Sequence, residues 1–246
     1  MKIAVLDCDT LYDHLKDEYQ SYSRMFERAL RAALKAQDAA AEAALELHAF
    51  SAIDRQLPKQ LDDYAGVMIM GSKFGAYDQE VWINELKDFI RVQFAAGTRL
   101  SGICFGHQVI HQALGGLVRK SPKGWGVGVH EFQVHPSEAL PAWVRPLCEK
   151  ACLRFIVSHQ DQVEALAPGF YRLAGSDFCP NALTLCGSQV LTSQPHPEFL
   201  PDYARQLLSI RRSCIGEARV QVAERSLSGL LDASLLLTVV SRFFAA

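Results

Sequence analysis

The chain has 246 residues, 49% of them apolar, and a net charge of −2. A chain of this length buries about 70% of its unfolded surface, and its near-neutral charge excludes the basic footprint of a nucleic-acid or polybasic membrane partner. No apolar run approaches the roughly 20 residues of a bilayer span. The opening MKIAVLDCDTLYD turns acidic too early for a signal peptide. Seven cysteines, an odd number without a regular framework, point to a reducing, cytoplasmic setting.

In chain order, KIAVLD (2–7) is a short buried strand. Residues 20–47 read as helical, with Met25, Phe26, Leu30 and Leu34 at helical spacing. An Ala-rich continuation over 36–47 breaks near Gln37 and Asp38. HAFSAI (48–53) is a second strand. In DYAGVMIMGS (63–72), the continuous apolar run Val67–Met70 closed by Gly71 suits a parallel strand covered on both faces. VWINELKDFIRVQFAAG (81–97) reads as a helix ended by Gly97. RLSGIC (99–104) is the next strand, and a helix begins at Phe105–Gly106. WGVGVHEFQV (125–134) alternates as an antiparallel strand does. RFIVSHQ (154–160), YRLAGSD (171–177), ALTLCGS (182–188) and QVLTSQPH (189–196) follow as strands. Cys148 and Cys152 lie four apart in a stretch that reads as helical, and no second Cys/His pair follows, so no metal site is expected. From Pro201 the chain is helical again, and Leu227, Leu230, Leu231, Leu235 and Phe243 are expected to pack on the sheet. The alternation predicts an α/β domain over 1–200. Its mostly parallel sheet is doubly wound, with helices on both faces and added antiparallel strands, and a helical extension over 201–246 packs on it.

Two short motifs carry chemistry. Gly102-Ile103-Cys104-Phe105-Gly106 sits between a strand and a helix, which is the pattern of a nucleophile elbow. There the strand and the helix pass so closely that the flanking residues are glycine. The cysteine then projects from the carboxyl edge of the sheet, where α/β folds bind ligands, and the amides at the helix start face the same space. The second motif is Gln194-Pro195-His196-Pro197-Glu198. On an extended segment His196 and Glu198 leave on the same face, so the carboxylate is able to hold the second imidazole nitrogen, and the prolines stiffen the segment. Each motif alone is also compatible with a buried structural cysteine or a proline-rich surface loop.

Together, GICFGHQ and QPHPEF resemble the class I (triad) glutamine amidotransferases, over roughly residues 1–200. YAGVMIMGS (64–72), AYDQEVWI (76–83) and SHQD (158–161) resemble other stretches of that family. YQSYSRMFE (19–27) and the helical tail are similar to its stand-alone branch, near the GMP synthase amidotransferase domain and the γ-glutamyl peptidases. The resemblance implies catalysis by Cys104, His196 and Glu198 on the γ-amide of glutamine or another γ-glutamyl amide. It implies an oxyanion hole from the amides of Phe105 and of Gly71 or Ser72, and substrate contacts at Gln108, Ser158 and His159. No cofactor is implied. The expected ligand is a small γ-glutamyl compound, and ammonia or an amine leaves for free hydrolysis or for a separate synthase subunit.

Departures and alternatives remain. The family often has proline after its Gly-Gly or Gly-Ser; here Lys73 follows, so the loop is expected to be freer, and Lys73 to face solvent rather than add positive charge near the substrate carboxylate, the alternative reading. His107 is expected to be packed or hydrogen-bonded and turned from Cys104, and His159 with Asp161 to be structural or to line the pocket. The glycines form no phosphate loop and no dinucleotide fingerprint. A binding or regulatory module whose triad waits for a synthase, and a cysteine peptidase or chaperone-like relative, are the competing readings.

Overall fold

The structure is a computed structural model that describes residues 1–37, 39–137 and 140–246. The expected break at Gln37–Asp38 is only half observable: Gln37 lies in a turn, and Asp38 falls outside the described residues.

The first half runs β1 (Lys2–Asp7), α1 (Asp13–Tyr19), α2 (Tyr22–Lys35), α3 (Ala39–Ala43), β2 (Glu46–Ser51), β3 (Gly66–Ile69), α4 (Val81–Ala95), β4 (Leu100–Ile103) and α5 (Phe105–Ala113). The second half runs β5 (Leu117–Lys120), β6 (Gly126–Val134), α6 (Arg145–Cys148), β7 (Cys152–His159), β8 (Asp161–Ala165), β9 (Tyr171–Gly175), β10 (Leu183–Cys186) and β11 (Val190–Ser193). Four helices follow: α7 (Pro201–Ile210), α8 (Arg212–Ile215), α9 (Glu217–Ser226) and α10 (Ala233–Ala245).

Nine strands form one sheet in the order β2-β1-β3-β4-β11-β10-β9-β6-β7. Strands β2, β1, β3, β4 and β11 are parallel, and the rest extend the sheet antiparallel. The period of two along a strand sorts side chains into two cores. From β1, Ile3 and Val5 join Phe26, Leu30, Tyr203 and Phe243 from the α2, α7 and α10 side. Ala4 and Leu6 join Trp82, Ile83, Leu86, Phe105 and Val109 from the α4 and α5 side. The sheet is thus covered on both faces, which is why Val67–Met70 is apolar without alternation and fully buried.

Several expectations need correction. Cys148 closes α6 whereas Cys152 opens β7, so the two share no helix. Leu230 is 84% exposed in the link before α10, while Leu227 and Phe243 are buried. Helix α1 and the small β5–β8 sheet carry too few apolar residues for a periodic signal. Among the described residues no helix is long and apolar enough to cross a membrane.

Candidate active site

Cys104 connects β4 to α5 with φ 53° and ψ −103°, a left-handed backbone that costs a non-glycine residue about 1–3 kcal/mol. The surroundings hold it there. Its N–H donates to the Ser193 carbonyl at 2.8 Å, and its carbonyl accepts from the Gln108 N–H at 3.0 Å. The two flanking glycines are required by close approach. A Cβ on Gly102 would run into the Gly106 carbonyl, and one on Gly106 into the Ile69 carbonyl. The amide of Phe105, the first residue of α5, is among the four that a helix leaves without an internal acceptor. Beyond β3, the amides of Gly71 and Ser72 have no acceptor among the described residues. Gly71 lies against both neighbours: a Cβ there would stand 3.3 Å from His196 Cε1 and 3.8 Å from Cys104 Cβ.

His196 arrives on the chain leaving β11, and its N–H is fixed to the Ile156 carbonyl at 2.9 Å. The segment was expected to be extended; instead it turns after His196, with the Phe199 N–H donating to the His196 carbonyl. The turn still joins the pair: His196 Nδ1 meets Glu198 Oε1 at 2.8 Å, both residues buried. The imidazole stacks on the Phe199 ring at 3.8 Å and 11°. With Nδ1 engaged, Nε2 is the nitrogen left for Cys104, whose Cβ borders the same glycine, Gly71, as the imidazole Cε1. Burial alone opposes a charge on His196, but Glu198 and the Cys104 sulfur outweigh it and lift the imidazole to about 10.

Cys104 opens into a cavity of about 440 Å³ lined also by Gln108, Ser158, His159, Tyr77, Trp125 and Arg211. Gln108 spends its amide hydrogens on the Asp161 carbonyl (2.8 Å) and Gln194 Oε1 (3.0 Å), which leaves only its oxygen for a ligand. Ser158 Oγ accepts from Arg211. His159 Nδ1 meets the main-chain carbonyl of Asp161 at 3.1 Å rather than its carboxylate, and burial pushes its imidazole down to about 3. That pairing is not a second His–carboxylate couple. His107 is buried with Nδ1 on Thr192 Oγ1 at 2.7 Å.

Lys73 is exposed as expected, but its ammonium is also engaged: Nζ sits 2.9 Å from Asp9 Oδ1, and its main-chain N–H donates to Asp9 Oδ2 at 2.9 Å. The loop is tied where it was expected to be free.

Sequence reasoning missed Asp9 and Arg211. Asp9 had a signal, since it follows β1 at the carboxyl edge of the parallel strands. Arg211, at the end of α7, had none. Its guanidinium lies 5.8 Å from the Trp125 ring centre and has no acidic partner among the described residues. Among these residues, no group of three or more His, Cys, Asp or Glu side chains is placed to hold a metal.

The family model "Glutamine amidotransferase class-I" matches residues 14–209. The chain is 31% identical to γ-glutamyl peptidase 3 of Arabidopsis thaliana over 153 residues, covering 61% of each chain. It is 28% identical to a glutamine-hydrolysing GMP synthase of Porphyromonas gingivalis over 58% of this chain and 27% of that protein. The chain thus spans about three fifths of the length of the peptidase. The crystal structure of a glutamine amidotransferase from Thermotoga maritima superposes with a TM-score of 0.74 at 17% identity, covering 100% of this chain and 99% of that one.

Proposed function

The chain belongs to the class I glutamine amidotransferase family, and from that premise we propose that it hydrolyses the γ-amide of glutamine or of another γ-glutamyl compound through a thioester on Cys104. One observation carries this reading: a cysteine held in a left-handed turn opens into a cavity beside a buried His196–Glu198 pair.

Cys104 gives its proton to His196 Nε2, and the sulfur attacks the γ-carbonyl carbon. The carbonyl electrons move to oxygen, where the amides of Phe105 and of Gly71 or Ser72 stabilise the anion. One such donor typically contributes about 3 kcal/mol in the transition state. The imidazolium returns the proton to the leaving nitrogen, and ammonia or an amine departs. Neutral His196 then takes a proton from water, whose oxygen attacks the thioester carbonyl, and glutamate leaves as the sulfur recovers its electrons. Glu198 orients the ring and offsets its charge in both halves. Arg211, a cation without an acidic partner, suits a carboxylate of the ligand, and Gln108, Ser158 and His159 shape the remaining wall.

Ammonia alone does not need this cavity. A second cavity of about 220 Å³ shares Tyr12, Lys73 and Arg211 with the first, and this room favours a γ-glutamyl peptide as one donor. The kinship with GMP synthase favours a different use, in which a separate synthase takes the ammonia. The deciding experiment incubates the purified chain with glutamine and with γ-glutamyl dipeptides, reading glutamate release and the intact mass of the protein. Release with a γ-glutamyl adduct on Cys104, both lost in Cys104→Ala, supports the proposal. Release that persists in Cys104→Ala refutes it. Turnover of glutamine only when a synthase is added selects the partner-dependent reading.

A further inference from the structure

The amides of Gly71 and Ser72 are held from both sides by the end of β1. On the near side, the Met70 N–H donates to the Leu6 carbonyl at 3.0 Å, continuing the β1–β3 ladder by one bond. On the far side, the Lys73 N–H donates to Asp9 Oδ2 at 2.9 Å. Two pinned peptide planes bracket the pair, so the two free amides between them have little freedom to rotate. The carboxylate of Asp9 is itself fixed. Oδ1 accepts from the Thr10 N–H at 2.8 Å and from Lys73 Nζ at 2.9 Å, and its side chain is only 3% exposed.

Three donors converging on one buried carboxylate make a rigid post rather than a surface ion pair. Proline has no N–H, so a chain with proline at 73 would lack the main-chain leg of this clamp. The lysine supplies two legs at once: its N–H, which sets the direction of the loop, and its ammonium, which balances the buried charge. Asp9 borders the second cavity but not the one that Cys104 opens into.

We infer that Asp9 is a positioning residue for the candidate oxyanion hole, acting through the Lys73 main chain to aim the Gly71 and Ser72 amides at the γ-carbonyl oxygen. The inference rests on the proposed hydrolysis at Cys104. An amide that is aimed correctly contributes to the transition state more than to the bound ground state, so loss of the clamp is read in kcat more than in KM.

The test compares the wild type with Asp9→Ala, Asp9→Asn and Lys73→Met, using a γ-glutamyl donor turned over by the wild type. Two further readings are the rate at which iodoacetamide alkylates Cys104, which needs no oxyanion hole, and the melting temperature. Asp9→Ala is expected to lower kcat about 30-fold with KM within about threefold and alkylation unchanged. Asp9→Asn keeps one acceptor oxygen and a near-identical shape, and is expected to recover part of the loss even if the alanine variant folds poorly. Lys73→Met keeps the main-chain leg that sets the loop and removes only the half-exposed ammonium, so it is expected to lose only about threefold, well short of Asp9→Ala. An unchanged kcat in both Asp9 variants overturns the inference. So does a parallel fall in the alkylation rate, or a loss in Lys73→Met equal to that in Asp9→Ala. Absence of any turnover in the wild type fails the hydrolase reading itself and removes the inference with it.

Discussion

The crevice at the end of β11 and the face of α5 turned toward β10 and β11 both bury histidine, and they hold it in opposite charge states. His196 is 4% exposed, and His107 and His111 are 0% exposed. On α5 the partners are neutral. The Ala167 N–H donates to His111 Nδ1, so Nε2 carries the proton and donates to Thr184 Oγ1 at 2.9 Å. Thr184 is bonded to Thr192 at 2.6 Å, and Thr192 to His107 Nδ1 at 2.7 Å. Nothing in that chain offsets a positive charge. Burial therefore pushes His111 down to about 3 and His107 well below its ordinary range, where neighbouring His111 adds to the effect. At His196 the same burial is outweighed by the Glu198 carboxylate and the Cys104 sulfur. Depth in the protein does not set the charge of an imidazole; the chemistry of the group at its ring nitrogen does.

The largest expected effect breaks the charged side of the comparison. Cys104→Ala should lower γ-glutamyl hydrolysis by at least about 10⁴-fold, since the proposed nucleophile is removed outright. Its melting temperature should stay within about 4 °C of the wild type, because only one heavy atom is removed and Cys104 lines the cavity. A drop in stability with activity retained would make Cys104 a core residue. Next, Glu198→Gln should cost about 10²- to 10³-fold in kcat, since the imidazolium loses its counter-charge. The high imidazole value should fall with it, which NMR titration of His196 reads directly.

Gly106→Ala tests the close approach that holds the cysteine turn. Its Cβ meets the Ile69 carbonyl, so about 3 kcal/mol of stability should be lost in urea unfolding, with activity falling as β4 and α5 separate. The neutral side is tested by Thr192→Val, which leaves a buried His107 nitrogen without a partner. It should cost about 1–3 kcal/mol of stability and change kcat little.

The most diagnostic test is the pH dependence of unfolding. His196 holds its proton more tightly in the folded chain than in the unfolded one. Its contribution is thus fully present below pH 6.5 and lost as pH rises toward about 10. His111 and His159 hold theirs more weakly. Their contribution is present above 6.5 and lost as pH falls toward about 3. Urea unfolding across this range should show both limbs. Glu198→Gln should flatten the basic limb alone, and His111→Gln the acid limb in part. A basic limb that survives Glu198→Gln would break the comparison.

Strand–helix alternation, the apolar run at Val67–Met70 and the GICFGHQ turn were legible because each is a local pattern. Cys148–Cys152 misled because a four-residue spacing has no meaning once a turn and a new strand fall between. Leu230 misled because apolar character does not tell which side of a short link faces the core. His196–Glu198 met through a turn rather than an extended segment, so the expected contact formed by a different route. Asp9 and Arg211 gave little away, since an acid after a strand and an arginine in a helical tail are each common.

Local chemistry in the chain determined where strands and helices form, which face each buries, and that glycine must flank Cys104, because these follow from side-chain shape and period within a few residues. Whether Cys104 finds His196, 92 residues away in sequence, which histidine is charged, and that Asp9 reaches Lys73 were decided only when β1, β3, β4 and β11 came side by side. Those outcomes depend on distances between carboxyl ends of strands that no run of neighbouring residues encodes.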